Sequence, residues 1–70
     1  MSSHPTPKQA ETLGHIRGFI EANGYSPTVI ELAAIAGVRG NAVQGRIDAL
    51  LRKSLITRTS GASRTIRPAD

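Results

Sequence analysis

Seventy residues suffice for one domain and not for two, and the absence of cysteine excludes a disulfide framework, a thiolate metal site and a thiol nucleophile. The only aromatic residues, Phe19 and Tyr25, are too few for a platform that stacks single-stranded bases, and the only histidines, His4 and His15, are too few to build a structural metal site. Lys8 and Arg17 against Glu11, Glu21 and Glu31 leave residues 1–38 at −1, whereas seven basic residues against Asp48 and Asp70 leave residues 39–70 at +5; either one face meets a polyanion or the second half has a solvated basic surface.

Residues 1–6 carry serine and proline without apolar periodicity and read as a flexible arm. Thr6 before Pro7, with Gln9 three residues on, predicts a capping box that opens a first helix. Leu13, Ile16 and Ile20, with Phe19 at the edge, carry the helix from about Pro7 to Ala22, and Asn23-Gly24 resembles a left-handed cap. Gly14 and Gly18 each cost ~1 kcal/mol of helix propensity relative to alanine; four residues apart, they leave room for a second helix to approach. Pro27 then breaks the chain, and Thr28 with Glu31 forms a second capping box. The helix that follows is short, Val29 to Ala36, with Leu32, Ala33 and Ala36 inward and Gly37 at its end.

After Val38-Arg39-Gly40, Asn41 reads as the cap of a third helix over residues 42–53, with Gln44 at the capping-box position. Val43, Ile47 and Leu50 form one stripe at helical spacing, and Arg52 and Lys53 suit the negative end of the helix dipole. The pattern then turns to β-branched residues. Leu55 to Thr59 and Arg64 to Arg67 predict two strands around a Ser60–Ser63 tip, with Pro68 ending the second. The expected fold is mainly α with a small β-hairpin, a three-helix winged helix-turn-helix domain over residues 7–67 with a tail over 68–70.

A helix of this kind fits the major groove of duplex DNA, where its first turns meet the base edges. With the stripe inward, Asn41, Ala42, Gln44 and Gly45 face elsewhere. Asn and Gln match the donor and acceptor pair of adenine, alanine packs on a thymine methyl, and Gly45 allows close approach. Asn41 and Gln44 serve equally well as caps, and both roles stay open. Arg39 and Arg46 suit phosphates better than bases, and Thr28, Gly40 and Lys53 join them as expected backbone contacts. In the wing, Ser60, Gly61, Ser63 and Arg64 offer amides, hydroxyls and a guanidinium to phosphates, although any tight turn uses such a tip.

These residues resemble the N-terminal DNA-binding domain of the bacterial SOS repressor LexA family over about residues 6–67. Thr6-Pro7-Lys8-Gln9 with Ile16-Arg17 is similar to the family's opening helix, and Gly24-Tyr25-Ser26-Pro27-Thr28 with Glu31-Leu32-Ala33 to its turn into helix 2. Asn41-Ala42, Leu50, Arg52-Lys53 and Ile56 resemble its recognition helix and first strand, and Ser60-Gly61-Ala62-Ser63-Arg64 with Ile66-Arg67 its wing. The resemblance implies operator reading by Asn41, Ala42, Gln44 and Gly45, with the wing on the backbone near the minor groove. This chain departs from the family in its shorter approach to Asn41, with Arg39-Gly40 in place of a Ser-Pro type pair. It also has Gln44-Gly45 where the family has acidic residues, which implies a different operator. The family's Ser/Lys self-cleavage and dimerisation domain has no counterpart in these residues, so weak, salt-sensitive binding is expected unless the domain pairs on DNA or with another regulator. Both a small regulator from a phage or mobile element and one domain of a longer protein fit this length.

The competing class is a protein-interaction module that modulates another regulator, favoured by Val29, Ile30 and Ile35 beyond the core face of helix 2. An enzyme is not expected, because the histidines and serines sit in the arm, on helix 1 and in turns without an oriented pair. Neither a cofactor nor a small-molecule substrate is implied. The longest stretch without a polar side chain, Leu32 to Val38, is far short of the ~20 residues that cross a bilayer, and the polar N-terminus lacks a signal-type apolar region. A cytoplasmic, nucleoid-associated protein without a membrane partner is therefore expected.

Overall fold

A computed structural model describes residues 4–69; the first half of the expected arm, residues 1–3, and Asp70 of the expected tail lie outside the described residues. Three helices, α1 (Pro7–Asn23), α2 (Val29–Ala36) and α3 (Gly40–Arg52), precede two short strands, β1 (Ile56–Thr57) and β2 (Arg67–Pro68). Two of the three expected capping boxes form, and the one expected at Asn41 and Gln44 does not. Gln9 N donates to Thr6 Oγ1 at 3.3 Å and Thr6 N to Gln9 Oε1 at 3.0 Å; the Thr28 and Glu31 pair closes at 3.1 and 2.9 Å. Reciprocal bonds of this kind satisfy helix donors that would otherwise lack partners.

The third helix begins earlier than the sequence pattern predicts. Gly37 (φ 69°) turns the chain out of α2, Val38 N returns to Ala33 O at 3.1 Å, and extended Arg39 (φ −77°, ψ 155°) takes the capping position. Its carbonyl receives Ala42 N and Val43 N at 3.1 and 3.2 Å, so Asn41 lies inside the first turn and is not the cap. Arg39 makes no side-chain cap bond. The far end closes with Ser54 in the left-handed region (φ 59°), Ser54 N reaching Leu51 O and Leu55 N reaching Leu50 O, both at 3.0 Å.

One core draws on four of the five elements and the approach to the fifth: Ile16 from α1, Leu32 and Ala33 from α2, Val43, Ile47 and Leu50 from α3, Ile56 from β1, and Ile66 just before β2. Leu13, Ile20, Val29 and Ala36 pack around it. On α1 the buried positions are Ile16 and Thr12, whose hydroxyl donates to Lys8 O at 3.0 Å and so keeps a polar group in the interior satisfied. Gly14 and Gly18 do not seat a neighbouring helix, since a Cβ on either meets no atom within 4 Å.

The hairpin is shorter than predicted and shifted toward the C-terminus. Ile56 pairs with Pro68 and Thr57 with Arg67, antiparallel, so Pro68 stands in β2 rather than ending it, and Ala69 N bonds Leu55 O at 3.0 Å. Proline is tolerated there because a two-stranded sheet is all edge. Above this base the chain leaves the ladder: Arg64 adopts φ 58°, Gly61 φ 77°, and Thr65 closes the loop with its side chain, accepting Thr59 N at 3.0 Å.

Candidate nucleic-acid interface

Burial of Val43, Ile47 and Leu50 forces the opposite face of α3 outward. On it Asn41, Ala42, Gly45 and Asp48 are exposed and Gln44 is half-buried. With Arg39 at the cap, Asn41 and Gln44 are both relieved of the capping roles open to them in the sequence. Instead Gln44 Nε2 donates to Asp48 Oδ1 at 2.9 Å, and Arg58 Nη1 lies 3.5 Å from Gln44 Oε1. One N–H and one lone pair of the amide stay available, the pair that adenine's N7 and N6 require. Gly45 has open space where a Cβ would stand, so this part of α3 lets another surface come close to its backbone.

The wing rises beside this face. An open groove of about 400 Å³ lies between them, lined by Gln44, Leu51, Arg58, Ser60 and Gly61. Its walls carry an amide, a guanidinium, a hydroxyl and glycine backbone. In the sequence Arg58 has no role of its own beyond its place at the start of the wing, expected on the backbone over residues 58–65, and nothing local ties it to Gln44 fourteen residues away. Ser60, Gly61 and Ser63 are exposed at the tip, Arg39 is exposed at the start of α3, and Gly40 and Arg46 are half-buried there.

Three expected backbone contacts are engaged within the fold. Thr28 is the cap of α2, its hydroxyl accepting Glu31 N. Lys53 turns toward the start of α1, where its ammonium donates to Gln9 Oε1 at 2.6 Å and His4 O at 3.1 Å. Arg64 turns away from the wing tip onto Glu31, with Nη1 to Oε1 at 2.9 Å and Nη2 to Oε2 at 3.1 Å. These bonds, with that from Thr28 N, hold the Glu31 carboxyl below the ordinary glutamate value of 4.5. Also on α2, Ile30 and Ile35 are exposed, whereas Val29 packs on the core.

A sequence model of the LexA DNA binding domain matches residues 2–65 of this chain. The chain belongs to the LexA DNA-binding domain family. It is 48% identical over 63 residues to LexA repressor 1 of Pseudomonas syringae pv. tomato and 48% identical over 63 residues to the LexA repressor of Pseudomonas chlororaphis, covering 89% of this chain in each case. It is 42% identical over 62 residues to the LexA repressor of Geotalea uraniireducens, covering 87% of the chain. The matches cover 31% of the length of each of these relatives. Membership of this family supports DNA binding by the domain and gives no support to a protein-interaction module. No helix among the described residues is long and apolar enough to cross a membrane.

Proposed function

We propose that this domain is a sequence-specific reader of double-stranded operator DNA and acts in transcriptional repression in the cytoplasm, at the nucleoid. The observation that carries this reading is the outward face of α3, with Asn41, Ala42, Gln44 and Gly45 set across an open groove from the wing tip. In the major groove Asn41 and Gln44 read base edges, Ala42 packs on a thymine methyl, and Gly45 lets the helix seat deeply. Arg39, Gly40, Arg46 and Arg58 lie along the margin of that face, and Ser60, Gly61 and Ser63 bring hydroxyls and amides to the sugar-phosphate backbone. The LexA repressors to which the chain is similar support the role in repression.

One domain spans one half-site, so tight binding requires a second copy on DNA or another regulator, which raises effective concentration at the second half-site. Selection of bound duplexes from a random pool tests specificity and spacing together. The expected product is a preferred half-site, repeated with two-fold symmetry when two copies bind. Asn41→Ala and Gln44→Ala each abolish preference at one base pair, at about 1–3 kcal/mol for a bidentate contact. Recovery of unenriched sequence, with equal affinity for every duplex, overturns the reading.

A further inference from the structure

We propose that Arg64 is a positioning residue, a latch that holds the wing to the start of α2 through Glu31, and not a ligand to phosphate. The proposal rests on the DNA-binding reading only for its effect on affinity; the latch itself belongs to the free domain. Four contacts converge on one guanidinium. Besides the two-pronged pair with Glu31, Nη1 donates to Ser26 O at 3.2 Å, and Cζ lies 4.7 Å from the centre of the Tyr25 ring. A planar fork matches a carboxylate in two places and stacks on an aromatic face, which an ammonium does not.

The socket is assembled without the wing. Tyr25 stands edge-on to Phe19, with ring centres 5.7 Å apart and planes at 70°, and Glu31 is already held by the Thr28 capping box. Ser26 is buried, which fixes the carbonyl that receives the third bond. Arg64 itself holds a left-handed backbone (φ 58°), a conformation that non-glycine residues rarely adopt. That turn takes its side chain out of the hairpin direction and back across 33 residues of sequence to Glu31.

The wing tip needs such a tie. Among the described residues only two pairs form the hairpin ladder, and Ile66 is the buried anchor on the return side. Above them Thr65 closes the loop through one hydroxyl, leaving Ser60 to Ser63 exposed. Arg64 adds a second fastening at the root of the tip. Because its charge is already matched by Glu31, a phosphate would have to displace a carboxylate, and little counterion release is left for it to supply.

Three single variants separate the latch from a phosphate contact: Arg64→Lys keeps the charge and loses the fork, Arg64→Ala loses both, and Glu31→Gln keeps an acceptor oxygen for the capping box but loses the charge and the second oxygen that completes the fork. In the free domain, 15N relaxation should show backbone order at Ser60 to Ser63 falling from a rigid value near about 0.85 toward about 0.6 in Arg64→Lys and Glu31→Gln, with the helices unchanged. With a duplex recovered by selection, all three variants and the Glu31→Gln/Arg64→Lys double variant should bind about three- to tenfold more weakly, the cost of ordering one or two side chains on binding. The slope of affinity against salt should stay at the wild-type value. Tighter binding by Glu31→Gln, or wild-type binding by Arg64→Lys with a salt slope lower by about one in Arg64→Ala, identifies a phosphate ligand and overturns the latch. If no duplex binds the wild-type domain, the function proposed above fails and relaxation alone decides: lowered order at the tip upholds the latch and unchanged order overturns it.

Discussion

Gly45 stands in the interior of α3 with open space at its Cβ position, so its absence of a side chain answers no packing need within the domain. Gly45→Ala is therefore expected to stabilise the fold by about 0.8–1.0 kcal/mol, the difference in helix propensity, measured by urea unfolding. The same variant should weaken binding to a selected duplex, because the added methyl enters the face proposed to meet DNA. Gly14→Ala, equally open on α1, serves as the control that stabilises without altering binding. Glu31 makes a second prediction. Its pKa lies below 4.5, held down chiefly by the hydrogen bonds from Arg64 and then from Thr28 N, with Arg64's charge adding to them. A carboxyl whose pKa is lower in the folded than in the unfolded state contributes stability above the unfolded value, lost as pH falls through the folded one. The melting-temperature gap between wild type and Glu31→Gln should thus be present at neutral pH and shrink as pH falls below 4.5. Arg64 stays charged throughout that range.

At the scale of elements, α3 serves two tasks on opposite faces. Its inner stripe is fully buried, Val43 at 1% and Ile47 and Leu50 at 0% exposure, which is why its outer face can do without large apolar residues. Removing one inner side chain deletes packing at the centre of a single core, where α3 meets α1, α2 and β1. Ile47→Ala should cost about 2–5 kcal/mol. A chain of this size holds only ~0.05–0.15 kcal/mol of stability per residue, so the variant should be largely unfolded by circular dichroism at 37 °C. The capping boxes and the stripe were both legible in the sequence, being periodic or local. The start of α3 was not, because Asn41 has good capping chemistry but the turn at Gly37 and the Val38 to Ala33 bond deliver the chain to the helix at Arg39. Hydrogen bonding from α2 outweighed side-chain preference.

Across the whole molecule, the positive charge of residues 39–70 is divided by the fold. Lys53 and Arg64 are paired across the surface with Gln9 and Glu31, while Arg39, Arg46 and Arg58 stay near the outer face of α3. Salt dependence of DNA binding should follow this division. Arg39→Ala and Arg46→Ala are each expected to lower the slope of log affinity against log salt by about one, and Lys53→Ala to leave it unchanged, as read by fluorescence anisotropy between low and physiological salt.

The third helix, its buried stripe and the residues on its far side followed from the sequence by itself, because helix geometry alone decides which positions share a face. So did the caps of α1 and α2, the order of elements and the presence of a wing. Only the tertiary structure decided which charges remain for a partner. Arg64 meets Glu31 across 33 residues, Lys53 meets Gln9 across 44, and Arg58 reaches Gln44 across 14. Neither periodicity nor local spacing encodes such pairings: they arise when the shared core fixes the distance and direction between elements, and a charged side chain then takes the partner that packing puts within reach.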